Sequence, residues 1–316
     1  MLPTPTTTHL SFNNIYEPAE DSYLLLDTLS SASETTFLHT RFSPSQSQTQ
    51  QSQNPSQTSV STPTPLIVEV GTGSGVVLSF LHSHPLTIFG REDILTAGTD
   101  VNPFACRGTR ETIGVAEKEV NELHVQKNEN EKERDEGKAG GQQASHGFYL
   151  TNVLGDLTTS FRSGQIDVLV FNPPYVPTPS IPTISTSPHH SSNSTTTTKA
   201  TTTFEEDSAF LEMSYAGGKD GMEITDRLLD MIPSVLSKRG VAYVLLCKQN
   251  KPDEVGRRIV EGEGVWGIGV GGGGDEGGEG KGNGWRYETV GRSGMKAGWE
   301  KLVVVRIWRD VESSEV

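Results

Sequence analysis

Four polar tracts interrupt this sequence, and what lies between them alternates short apolar runs with helical ones. The tracts cover 43–65, rich in Ser, Gln, Thr and Pro; 126–146, charged and ending in Gly and Gln; 177–203, almost entirely Ser, Thr, Pro and His; and 262–284, Gly with acidic residues. Segments this poor in apolar side chains cannot offset the entropy lost on ordering. A chain of 316 residues therefore reads as one domain over 11–311 carrying four insertions, with disordered tails at 1–10 and 312–316. The hydrophobic share of 33% is low for a globular protein. The deficit sits in the tracts.

Between the tracts, Pro18 to Ser30 predicts a helix, with Pro in its first turn and an apolar face of Leu24, Leu25, Leu26 and Leu29. Leu66 to Val70 predicts a strand running into a glycine-rich turn, with a helix starting at Val76. Leu95 to Thr99 is a weaker second strand and Pro103 to about Ile113 a helix. Phe148 to Thr151, Ile166 to Phe171 and Val241 to Leu246 read as strands, with a helix over Gly221 to Leu236 before the last of them. Trp285 to Arg292 and Leu302 to Trp308 read as a closing hairpin. The pattern implies an α/β fold, a mostly parallel seven-stranded sheet with helices on both faces and an antiparallel pair at the C-terminal end. The second strand, short and only partly apolar, is expected near an uncovered sheet edge.

Charge and composition narrow the functional classes. A net charge of −14 disfavours stable binding to nucleic acid, whose affinity comes largely from Lys and Arg neutralising phosphates. Cys106 and Cys247 are too few for a disulfide framework or a four-ligand zinc site, and no metal site is expected. Residues 1–14 lack the basic and apolar stretches of a signal peptide. The longest clean apolar run, Val241 to Cys247, is too short to span a bilayer, so no membrane role is expected.

Four motifs carry chemistry. Glu69-Val70-Gly71-Thr72-Gly73-Ser74-Gly75 joins a strand to a helix, and its glycines let the backbone turn tightly and approach a ligand. Asp100 closes the second strand, where doubly wound folds bind ribose hydroxyls; Asn102 is placed to cap the helix at Pro103, which leaves Asp100 for a diol. Asp156, after the third strand, can accept from an exocyclic amine while Leu157 packs a ring. The most specific motif is Asn172-Pro173-Pro174-Tyr175 after the fourth strand. Its prolines stiffen the loop and remove donors. The Asn172 side-chain oxygen and the Pro173 carbonyl can each accept one N–H of a target NH2, and Tyr175 can stack on the planar group that carries it. Such a loop aims a nitrogen at a methyl sulfonium.

In this order the motifs resemble the HemK-like glutamine methyltransferases, and most nearly the eukaryotic branch that modifies the class I translation release factor. Tyr16-Glu17-Pro18-Ala19-Glu20-Asp21-Ser22-Tyr23-Leu24-Leu25-Leu26-Asp27 looks like that branch's N-terminal signature. Tyr215-Ala216-Gly217-Gly218-Lys219-Asp220-Gly221 resembles its segment after the active site, and Lys296 to Leu302 is similar to its C-terminal hairpin. The resemblance implies a Rossmann-like class I methyltransferase that uses S-adenosylmethionine and methylates the Gln side chain of a Gly-Gly-Gln motif. It implies that Ser22, Glu69, Gly71, Gly73, Asp100, Asp156, Leu157 and Asn172 line the cofactor, and that Asn172, Pro173 and Tyr175 hold the glutamine. It also implies a small zinc-binding activator as a heterodimer partner, and residence in the cytoplasm with the nucleus as a second compartment. Two other readings compete. Adenine presents the same planar NH2, which allows N6 methylation of DNA or RNA, but the acidic chain suits extraction of a base from a polyanion poorly. A non-catalytic Rossmann-like scaffold subunit would not need Glu69, Asp100, Asp156 and Asn172 together.

Overall fold

In the computed structural model the described residues are 2–44, 62–132, 146–182, 204–267, 284–293 and 301–310. The sheet is built from β1 (Leu66–Val70), β2 (Leu95–Asp100), β3 (Phe148–Leu154), β4 (Ile166–Phe171), β5 (Leu236–Cys247), β6 (Trp285–Arg292) and β7 (Leu302–Arg309). The strands lie in the order β3-β2-β1-β4-β5-β7-β6. The first five pair in parallel, and β7 pairs antiparallel with both β5 and β6. This is the expected α/β sheet with its closing hairpin. The strand order reverses between β1 and β4, so a crevice opens at their C-terminal ends, where open α/β sheets bind ligands.

The side-chain period of two sorts the central strands onto two cores. Leu169 and Phe171 of β4 join Val68 and Val70 of β1 on one face, against Leu228, Leu229 and Ile232 of the helix Glu223–Val235. Val168 and Val170 join Ile67 on the other face. There they meet Leu25 and Leu29 of α1 (Glu20–Leu29) and Leu38 and Phe42 of α2 (Ala32–Phe42). The second of these helices falls where no helix is expected. Ser31 caps it by accepting from the Glu34 amide. Glu34 itself is buried and takes the Arg306 guanidinium at 2.9 Å and the Tyr243 hydroxyl at 2.8 Å, which ties the helix to β7 and β5.

After β1 come α3 (Val76–Ser83) and α4 (Pro85–Phe89); α5 (Pro103–Lys132) follows β2, α6 (Phe204–Met213) and α7 (Glu223–Val235) follow β4, and α8 (Pro252–Glu261) follows β5. Several tract boundaries shift. The helix expected to end near Ile113 continues to Lys132, inside the tract read as 126–146. Trp266, inside the tract read as 262–284, is buried and meets Trp285 edge-on at 4.9 Å between ring centroids. Residues 2–10, read as tail, pack on the domain: the Pro3 carbonyl accepts from His84 Nε2 at 3.0 Å, and His9 lies 3.3 Å from the Thr112 hydroxyl. The remainder of each tract, residues 311–316 and most of the hairpin segment 296–302 lie outside the described residues.

The sheet edge is also corrected. Strand β2 is interior, with five of its six residues buried, and β3 is the edge. That edge exposes Phe148 at 62%, Leu150 at 54% and Leu154 at 60%. Among the described residues no helix is long and apolar enough to cross a membrane.

Candidate active site

A cavity of about 330 Å³ lies at the C-terminal ends of β1, β2 and β4. Ser22, Glu69, Gly71, Gly73, Asp100, Asp156, Leu157, Asn172 and Pro173, scattered over 152 sequence positions, all line it. A larger recess of about 1690 Å³ lies at the opposite strand ends. Its charged walls already pair with one another, as Arg239 with Asp167 and Arg306 with Glu34. The motif chemistry is in the smaller cavity.

The floor is the turn from β1 into α3. Gly71, Gly73 and Gly75 all take positive φ, at 65°, 52° and 77°. At Gly75 the lack of a side chain has a second use, because a Cβ there would sit 2.6 Å from the Thr109 Cα of α5. Glu69 is buried, and its Oε2 accepts the Leu78 amide in the first turn of α3 at 2.9 Å. Burial pushes its carboxyl well above the usual range, the Leu78 bond offsets part of that, and nearby Asp100 adds to the rise.

Asp100 is not free, as the sequence suggests, but held by backbone. Its Oδ2 accepts from the Gly73 amide at 3.0 Å and its Oδ1 from the Asn102 amide at 2.8 Å. Burial raises its carboxyl to about 6 against the lowering effect of those amide bonds. Each oxygen keeps a second lone pair, so acceptor capacity for a diol remains. Asn102 caps α5 as expected, its Oδ1 taking the Phe104 amide at 2.8 Å. Across the cavity Asp156 pairs with Arg227, and both are half-exposed. Leu157 holds a positive φ of 50°, uncommon for a branched residue, and is buried between cavity and core.

The Asn172-Pro173-Pro174-Tyr175 loop closes the remaining side. The Asn172 NH2 donates to Asp21 Oδ2 at 3.1 Å, while its Oδ1 is buried and has no partner among the described residues. Tyr16 and Asp21 line the cavity beside it. Tyr175 does not line the cavity; it packs half-buried against the core that carries α1 and α3. The loop backbone is clamped from behind. The Val176 amide donates to the Tyr215 carbonyl and the Gly217 amide to the Val176 carbonyl, and a Cβ at Gly217 or Gly221 would strike the Pro174 or Tyr175 carbonyl. Buried Asn250 donates to the Asp220 carbonyl at 3.1 Å and the Tyr175 carbonyl at 3.4 Å, joining the clamp to the end of β5.

Other lining residues were not flagged by sequence. Tyr16 and Asp21 sat in a signature without an assigned role. Arg227 is on α7, and Phe210 and Met213 are on α6, a helix not expected from the sequence. His82, Glu117 and His146 are close enough to hold a metal ion, but none lines the cavity. The two His82 ring nitrogens already meet Thr96 Oγ1 at 3.1 Å and Glu117 Oε1 at 3.0 Å.

The chain is 30% identical over 257 residues to the Mus musculus protein named Methyltransferase HEMK2, a match covering 80% of this chain and 83% of that one. The chain belongs to the HemK-like methyltransferase family. The Homo sapiens protein of the same name is 28% identical over 258 residues, covering 82% of this chain and 83% of that one. The Schizosaccharomyces pombe protein named eRF1 methyltransferase catalytic subunit mtq2 is 29% identical over 262 residues, covering 79% and 81%. No protein-family model matches the chain. As a member of the family the chain is an S-adenosylmethionine-dependent methyltransferase. The cavity suits that cofactor on its own chemistry. Carboxylates of Asp21, Glu69, Asp100 and Asp156 border it, and such acceptors match a ribose diol, amino groups and a sulfonium charge.

Proposed function

We propose that this enzyme methylates the side-chain amide nitrogen of the Gln in the Gly-Gly-Gln motif of the class I translation release factor. The observation that carries the proposal is the Asn172 oxygen, a buried acceptor left without a partner beside the Pro173 carbonyl on the wall of a methyltransferase cavity. A buried acceptor left unpaired costs about 1–3 kcal/mol, and an incoming N–H removes that cost. The name of the yeast relative, an eRF1 methyltransferase subunit, supports the choice of protein.

S-adenosylmethionine supplies an electrophilic methyl group when bound. Ser22, Glu69, Gly71, Gly73, Asp100, Asp156, Leu157 and Asn172 are the residues proposed to hold it. In this reading Asp100 accepts from the ribose, Asp156 from the adenine amine, and Leu157 packs the ring. Asn172 and Pro173 take the two amide hydrogens of the glutamine and so fix the nitrogen's direction, while the apolar lining from Phe171 and Ile224 excludes water. Tyr175, the third residue proposed to hold the glutamine, does not line the cavity.

The exposed edge strand β3 supports a second part of the proposal, a small zinc-binding activator as partner. Phe148, Leu150 and Leu154 each leave apolar surface exposed on the edge strand, and an edge strand of this kind invites strand addition or aggregation. Co-expression with the activator should convert an aggregation-prone chain into a monodisperse, active complex. A lone chain that is monodisperse and fully active would remove this part. The cytoplasm, where the release factor works, is the proposed compartment, with the nucleus second.

The test of substrate is a competition. Purified release factor and adenine-containing DNA or RNA are offered with labelled S-adenosylmethionine. Label in the protein supports the proposal; label in the nucleic acid, against the charge of the chain, overturns it.

A further inference from the structure

Asn172 has two chemically opposite ends, an NH2 that only donates and an oxygen that only accepts. Which end faces the cavity decides whether the loop can hold a nitrogen that carries hydrogens. Half a turn about χ2 exchanges the two, so the side chain alone sets no preference. A partner 151 residues earlier in the sequence breaks the tie. The Asp21 carboxylate is buried and takes donors on both oxygens. Oδ2 accepts from Asn172 Nδ2 at 3.1 Å and from the Tyr16 hydroxyl at 3.0 Å. Oδ1 accepts from the Ser22 amide at 2.6 Å and the Ser22 hydroxyl at 3.2 Å.

We propose that Asp21 is a positioning residue that locks the Asn172 amide with its oxygen toward the substrate nitrogen. The proposal rests on the reading above, that Asn172 accepts from a target NH2. A carboxylate can only accept, so it admits only the NH2 end of Asn172. The near-isosteric Asp21→Asn change reverses this logic. The Ser22 backbone amide can only donate, so it retains the amide oxygen of the new side chain. The new NH2 then faces Tyr16 and Asn172. The Tyr16 hydroxyl can rotate and accept. Asn172 can satisfy that NH2 only by flipping, which turns its own NH2 into the cavity, donor against donor. Asp21→Ala merely frees Asn172 to sample both orientations. The smaller change should therefore do the greater harm, an order that a packing role does not produce. Pairing Asp21→Asn with Asn172→Asp should repair the defect, because a carboxylate at 172 accepts from the new NH2 and keeps an oxygen for substrate.

The experiment compares the full wild-type chain, Asp21→Ala, Asp21→Asn and the double variant with release factor as methyl acceptor. Expected kcat losses are about 10-fold for Asp21→Ala and about 100-fold for Asp21→Asn. The double variant should regain about 10-fold over Asp21→Asn. Cofactor affinity of both single variants, by calorimetry, should fall less than kcat does, since the lock acts first on acceptor geometry. A kcat for Asp21→Asn equal to or above that of Asp21→Ala overturns the lock. A second readout needs no substrate: hydrogen exchange of the Asn172 side-chain NH2 by NMR. It should be slow in wild type and fast in Asp21→Asn, where the group faces the cavity. If wild type fails to methylate release factor, the substrate proposal falls, and equal exchange in the two proteins would then overturn the lock separately.

Discussion

The cavity has a fixed wall and an open rim, and the two are held by different partners. On the wall, formed by the ends of β1, β2 and β4, each motif side chain is tied inside the protein. Glu69 is tied to the Leu78 amide, Asp100 to the Gly73 and Asn102 amides, and Asn172 to buried Asp21. On the rim, Asp156 is half-exposed and pairs with an equally exposed Arg227, while Phe210 and Met213 come from α6, next to a polar tract. Backbone amides cannot rotate away or be replaced by solvent without unfolding a turn, so the wall is organised before any ligand arrives. An exposed ion pair exchanges with water at little cost. The difference assigns orientation of the reacting groups to the wall and adjustment to the rim.

Asn172→Ala is expected to have the largest effect. It removes the orphaned acceptor, and turnover should fall by about 100-fold or more. Thermal unfolding should barely move, because the side chain makes a single described bond. Near-wild-type turnover would mean that the wall does not aim the substrate.

Gly221→Ala should come next. Gly221 has a φ of 69°, and a Cβ would meet the Tyr175 carbonyl. The left-handed conformation alone costs a residue with a side chain about 1–2 kcal/mol. The clash adds to that or displaces the loop. Urea unfolding should show the loss, and turnover should fall with it. A neutral substitution would show that the glycine segment does not hold the loop.

A third test uses pH. A carboxylic acid raised to about 6 in the fold, from an ordinary value near 4, is penalised once ionised. Its contribution to stability therefore falls as pH rises from about 4 to about 6 and is level above that. Cofactor affinity should run the other way, weakening as pH drops through about 6 and Asp100 loses its charge. Asp100→Asn should flatten this dependence. An unchanged pH profile in that variant would remove Asp100 from cofactor binding.

The smallest effect is expected on the rim. Asp156→Ala should weaken S-adenosylmethionine by about 1 kcal/mol or less, since its carboxylate is half-solvated and shared with Arg227. A loss exceeding that of Asp100→Ala would reverse the comparison between wall and rim.

The parts legible in the sequence are those whose signal is local. Ile166 to Phe171 is apolar but for Asp167, and the strand forms there to the residue. The glycine turn and the Asn-Pro-Pro-Tyr loop carry their backbone requirements in their own composition. Helix α8 had such a signal too, with Pro252 at its first position and Gly262 as its left-handed stop, but its apolar residues are few. Helix α2 is rich in Thr and Ser, which favour other conformations in isolation; tertiary packing of Leu38 and Phe42 overrides that. The position of β3 at the sheet edge is topology and leaves no mark on β2 itself. The Asp21–Asn172 and Asp156–Arg227 partnerships span 151 and 71 positions, so no spacing rule could reveal them.

The central claim is tested most directly by mapping the methyl group. Release factor is incubated with S-adenosylmethionine and the enzyme, alone and with the proposed activator, then digested and fragmented by mass spectrometry. The account predicts one methyl on the Gln side chain of the Gly-Gly-Gln peptide with wild type, and none with Asn172→Ala. A methyl on another residue, or an equal yield on that Gln from the Asn172→Ala enzyme, would contradict it.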